Sequence, residues 1–107
     1  MKNERIGIYI EQLNDMYGCL LTEKQRQALR LYYDCDISLN EIAEQWGVTR
    51  QAVRDLVERS AGILTDFEEK LHLLDKKAEL QKLSSEIQSE LKNDELIRRL
   101  QKFTEEF

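Results

Sequence analysis

The sequence predicts an all-α protein: a helix-turn-helix domain of four to five helices with a C-terminal helical tail or hairpin. Three observations carry the all-α prediction. The 107 residues contain no proline and only four glycines, and they are rich in Glu, Lys, Leu, Gln and Arg, which keep most of their rotamer freedom in a helix. Apolar residues recur at three- and four-residue steps along most of the chain, the period of a helix that buries one face. Thr22-Glu-Lys-Gln25 and Ser38-Leu-Asn-Glu41 have the form of capping boxes. In each, a hydroxyl can accept from one orphan amide while a side chain three residues on reaches back to another.

In chain order, Ile6, Tyr9, Ile10, Leu13, Met16 and Tyr17 form the stripe of a first helix over 6–17, and Gly18 is a natural stop. The Thr22 box opens a second helix over 23–33 that buries Ala28, Leu29 and Tyr32, with residues 34–36 as connector. Ser38 opens a third, whose Leu39, Ile42 and Ala43 face inward and whose Trp46 closes the core edge. Gly47 supplies the positive-φ geometry of a tight turn. Thr49 then caps a fourth helix with Val53, Leu56, Val57 and Ser60 buried and Gln51, Arg54, Asp55, Glu58 and Arg59 outward. The apolar spacing continues through Ile63, Leu64, Phe67, Leu71 and Leu74, so this helix extends or restarts after Gly62.

The expected division is a helix-turn-helix domain over 1–74, with its recognition helix at about 49–60, and an amphipathic tail over 75–107. The tail places Leu80, Leu83, Ile87 and Leu91 on one face and Leu96, Ile97, Leu100 and Phe103 on the next, with a cap or turn at Asn93-Asp94. A lone helix cannot bury such a stripe. The tail must dock on its own domain or on another chain, and a homodimer through the C-terminal helices is the simplest solution.

Composition excludes several classes of function. No Gly-rich phosphate loop and no convincing nucleophile–base pair appears, so the chain reads as a non-enzyme without a cofactor. Cys19 and Cys35 lack a second cysteine pair, and the single histidine, His72, lies far along the chain. Two reduced thiols are expected, not a disulfide framework or a metal site, and His72 reads as a half-exposed helix residue. The N-terminal stretch is broken by Glu11, Asn14 and Asp15; it has the pattern of neither a signal peptide nor a membrane span, and cytoplasmic residence is expected.

A helix-turn-helix suggests double-stranded DNA as partner, because its second helix can enter the major groove while the first braces it across the backbone. The positions that count are Thr49 for a phosphate, Arg50 for guanine, Gln51 for adenine, and Arg54 for either base or phosphate. Charge argues the other way. Sixteen basic against twenty-one acidic side chains leave a net of −5, and Asp55 and Glu58 share the outward face of the fourth helix. Arg54 and Glu58 also stand at the spacing of an ordinary i,i+4 pair on a solvated helix.

The segment Leu39–Leu64, with Glu-Ile-Ala, Gly-Val-Thr-Arg and Val-Arg inside it, resembles region 4 of bacterial sigma factors, the domain that reads promoter DNA. Five ordered segments over residues 20–73 resemble the small YlxM family of Gram-positive bacteria: 20–27, 31–34, 38–43, 50–53 and 67–73. That resemblance implies a DNA-binding regulatory protein associated with the signal recognition particle pathway, with Thr49, Arg50, Gln51 and Arg54 as the contacts. It also leaves room for the particle's protein or RNA as partner. The chain departs from the family pattern in having Arg54 in place of Tyr, Leu56 in place of Asn and Glu58 in place of Lys. The first change adds a cation to the reading face and the last removes one.

Overall fold

The computed structural model describes residues 4–90 and 94–107. Among these every regular element is helical. The chain forms two compact units, Met1–Leu71 and His72–Phe107.

In the first unit, α1 (Glu4–Tyr17) ends in a 3-10 turn over Gly18–Leu20, and α2 (Glu23–Leu29) runs into a π-turn over Arg30–Asp34. Next come α3 (Leu39–Trp46) and the long α4 (Arg50–Leu71). The Thr22 box is complete: Gln25 N–H donates to Thr22 Oγ1 at 3.2 Å, and Thr22 N–H donates to Gln25 Oε1 at 2.9 Å. Ser38 Oγ accepts from Glu41 N–H at 3.1 Å and so starts α3, but the Glu41 side chain does not reach back to Ser38 N–H, so the expected second box is half formed.

The core is built around α4, which touches α1, α2 and α3. Ile10, Leu13 and Tyr17 meet Leu21, Ala28, Leu29, Ile42, Ala43, Val53, Val57 and Leu64 there, all buried. Each large aliphatic side chain contributes about 1.5–3 kcal/mol by leaving water. Leu56 and Trp46 are only half-buried, and Lys24 Nζ lies 4.3 Å from the centre of the Trp46 ring. Leu39, expected to face inward, is likewise half-buried.

One expectation for this unit needs correction, and one left open is decided. The second helix is α-helical only to Leu29; its last turn is a π-turn, closed by Cys35 N–H donating to the Arg30 carbonyl at 3.0 Å. A π-turn inserts a residue and shifts the register of the chain beyond it. Tyr32, which an α-helical period would bury beside Ala28 and Leu29, is therefore half-buried, and Asp34 belongs to the turn and not to the connector. The fourth helix does not restart at Gly62 but runs through it to Leu71. A mid-helix glycine costs about 1 kcal/mol, which the full burial of Leu64 just beyond it, worth about 1.5–3 kcal/mol, outweighs. The buried stripe of α4 ends on a charged residue: Glu68 is 5% exposed and accepts a hydrogen bond from Tyr17 Oη at 2.6 Å. The Tyr17 ring also stacks on Phe67, their centroids 5.9 Å apart.

In the second unit, α5 (Leu73–Glu90) and α6 (Asp94–Glu106) pack on each other, and the short link between them makes the pair a helical hairpin. Ser84 and Thr104 are buried, while Leu83, Leu96 and Phe103 remain 52%, 48% and 61% exposed. The expected turn at Asn93-Asp94 lies partly outside the described residues, and Asp94 is the first residue of α6. His72 is not a helix residue: it sits between α4 and α5 with φ 55°, its Nδ1 3.5 Å from Asp75 Oδ2. Cys19 and Cys35 are free and exposed. Among the described residues no helix is long and apolar enough to cross a membrane.

Candidate nucleic-acid interface

The turn between α3 and α4 sets the presentation of the candidate residues. Gly47 takes the left-handed conformation at φ 64° and ψ 36°, and Val48 N–H donates back to the Ala43 carbonyl at 3.0 Å. This six-to-one bond is the Schellman closure, and it needs a residue that tolerates positive φ at its centre. Two residues on, Thr49 Oγ1 accepts from Ala52 N–H at 3.1 Å, so its side chain caps α4. The cap directs the first turn of α4, with Arg50, Gln51 and Arg54 exposed, away from the buried Val53 and Val57. The free amides and dipole of this 22-residue helix favour an anion at the same end.

The four candidate residues therefore share one end of one helix, and they differ in how committed they already are. Thr49 Oγ1 serves the cap, although its hydroxyl proton can still be donated. Gln51 Nε2 donates to Asp55 Oδ1 at 2.8 Å. Arg54 Nε donates to Glu58 Oε1 at 3.0 Å, the expected i,i+4 pair. That bond raises the Arg54 pKa above the ordinary arginine value, and the neighbouring charges of Asp55 and Tyr32 act in the same direction. Arg50 stands exposed at the first position of the helix. Each carboxylate on this face lowers the positive potential that a phosphate would meet.

Tyr32 and Tyr33 also border this face, beyond the four residues that the sequence singles out. Their rings meet edge to face with centroids 4.9 Å apart. Burial pushes the Tyr33 hydroxyl above its usual pKa, and the charges of Tyr32 and Glu58 add to the effect. In sequence the two tyrosines belong to a series of aromatics, Tyr9, Tyr17, Tyr32, Tyr33, Trp46 and Phe67, that reads most simply as core. The π-turn that brings them to the edge of α4 leaves no periodic signature.

Comparison with known proteins agrees with the fold. The family model described as "UPF0122: Putative helix-turn-helix protein, YlxM / p13 like" matches residues 3–103. The UPF0122 protein of Desulforamulus reducens is 57% identical over 67 residues, which is 63% of this chain and 57% of that protein's length. The UPF0122 protein of Clostridium acetobutylicum is 44% identical over 84 residues, 78% of this chain and 72% of its own. One from Bacillus cereus is 46% identical over 83 residues, 78% of this chain and 76% of its own. With a match across nearly its whole length and the helix-turn-helix in place, the chain belongs to the UPF0122 family of YlxM/p13-like proteins.

Proposed function

We propose that the protein acts by binding and not by catalysis, as a regulatory module that reads double-stranded DNA with the first turns of α4. The observation that carries this reading is the rigid presentation of Arg50, Gln51 and Arg54: a Schellman turn at Gly47 and a threonine cap hold them exposed at a helix N-terminus. Arg50 is the guanine reader, Gln51 the adenine reader, Arg54 a base or phosphate contact and Thr49 a phosphate contact. In this reading the protein also has a role in the signal recognition particle system, which the resemblance to the YlxM family implies.

Selection from random duplexes at ~50 mM salt, where phosphate contacts are strong, tests the reading. Enrichment of a defined site is expected. Replacing Arg50 and Arg54 together by Ala should lower affinity for that site at least about tenfold, near 1.4 kcal/mol. Failure to enrich any sequence overturns it.

A second reading is favoured by the pairing of Gln51 with Asp55 and of Arg54 with Glu58. In it the protein is an accessory factor of the particle, and α4 docks on its protein or RNA. Salt separates the readings: phosphate binding weakens steeply as salt rises, whereas apolar docking does not. In either reading the hairpin is the self-association element of a homodimer, because Leu83, Leu96 and Phe103 leave apolar surface that the two helices do not bury.

A further inference from the structure

An open groove of about 960 Å3 lies in the first unit, between α1 and the stretch from the π-turn to the start of α3. That volume is at the upper end of what a ligand or peptide site occupies. One wall is a single face of α1: Glu4, Gly7, Ile8 and Glu11 are spaced i, i+3, i+4 and i+7 and so stack along one side of the helix. Ile8 is 58% exposed between the two carboxylates, which a rise of 1.5 Å per residue puts roughly 10 Å apart along the axis. The opposite wall carries Tyr32, Tyr33 and Leu39, and Arg50 closes one end.

The walls are anionic. Two α1 carboxylates face a single guanidinium, and the field extends to Asp34, whose pKa is raised by burial first and then by the charges of Glu11 and Asp15, against the opposing charge of Arg30. Such a groove repels a phosphate backbone. It suits the side chains of lysine and arginine, whose aliphatic stems pack on an apolar residue while the charged head meets carboxylates and tyrosine rings. The π-turn over Arg30–Asp34, which carries Tyr32 and Tyr33 into the groove wall, is a second sign, since this rare geometry is frequent at functional sites.

We infer that this groove docks a basic helical segment of a partner protein, with cations seven residues apart meeting Glu4 and Glu11 and an apolar residue between them meeting Ile8. Spacing supports this occupant, because residues i and i+7 of a helix lie on one face at the same separation as the two carboxylates. The groove shares Arg50 with the reading end of α4, but its acidic wall belongs to α1, and the inference stands whether or not α4 reads DNA.

The test is fluorescence anisotropy of the full chain with a short helical peptide carrying Arg at i and i+7 and Leu at i+4, in the absence of nucleic acid. Saturable binding below about 100 μM is expected, with none for the same peptide bearing Glu in place of Arg. Glu4→Lys with Glu11→Lys should weaken binding at least tenfold. Asp66→Lys with Glu69→Lys makes the same change in net charge at exposed positions of α4 outside the groove lining, and it should leave affinity within about twofold. Circular dichroism verifies that each variant folds. Equal losses from the two pairs would show attraction to net charge alone. That result, absence of saturable binding, or binding of the Glu peptide overturns the inference.

Discussion

Glu68 is the residue whose environment departs furthest from its type. A carboxylate 5% exposed carries a desolvation cost that only hydrogen bonding offsets, and the 2.6 Å bond from Tyr17 supplies one such partner. Tyr17→Phe keeps the stack on Phe67 and removes this bond. It should cost about 1.5–3 kcal/mol in urea unfolding, the range for hydrogen bonds to charged groups, and Glu68→Gln should make the same tyrosine change milder. Asp34 presents a different balance. Its carboxyl is held above the ordinary range by burial and by Glu11 and Asp15, and it ends a helical turn where the dipole disfavours an anion. A raised folded-state pKa means the folded protein binds the proton more tightly, so stability falls as pH rises through the window above the unfolded value. Asp34→Asn should therefore raise the thermal midpoint at neutral pH. The gain should vanish below about pH 3.8, where the wild-type carboxyl is protonated in both states.

At the scale of elements, the α3–α4 turn determines where the reading residues point. A Cβ at Gly47 would meet nothing within 4 Å, so Gly47→Ala isolates the cost of the left-handed backbone, about 1–2 kcal/mol. Thr49→Ala removes the cap and should cost about 1 kcal/mol. Val53→Asp places an unpaired charge among buried residues of α3 and α4 and should cost several kcal/mol. Chemical denaturation of the three variants should reproduce the order Val53→Asp, then Gly47→Ala with Thr49→Ala close behind. A Val53→Asp thermal midpoint within a degree of the parent would contradict the placement of the turn. The helix pairs on the outward face give an independent prediction. Glu58→Gln releases Arg54 and removes one charge that repels phosphate, so affinity for a selected duplex should rise about two- to fivefold with a steeper salt dependence.

For the molecule as a whole, the prediction concerns assembly. Leu83, Leu96 and Phe103 stay about half exposed in a hairpin whose buried positions, among the described residues, are Ser84 and Thr104, and a two-helix unit with so little buried apolar surface there is expected to seek more. A symmetric pair of hairpins would bury both stripes and present two recognition helices to a two-fold site. Sedimentation equilibrium at micromolar concentration should give twice the 12.7 kDa chain mass. Phe103→Glu should shift the mass toward the monomer. A monomeric wild type, or a dimer indifferent to Phe103, would place association elsewhere or nowhere.

Helical class, the N-caps at Thr22, Ser38 and Thr49, the glycine turn and the Val53, Val57 and Ser60 part of the α4 stripe, without the half-buried Leu56, were legible in the sequence, because each rests on a local rule: residue period, a capping hydroxyl, or the freedom of Gly47 at φ 64°. The pairing of Arg54 with Glu58 was legible for the same reason, being set by helical spacing alone. Other features depended on the packed fold. Whether the helix breaks at Gly62 turned on the burial of Leu64 against the rest of the first unit, which outweighs the local cost of glycine. The π-turn at Arg30–Asp34 comes from one inserted residue that no hydrophobic period records. That same insertion brings Tyr32 and Tyr33 into a groove with Glu4, Ile8 and Glu11, residues more than twenty positions away, and only tertiary packing makes such distant residues neighbours.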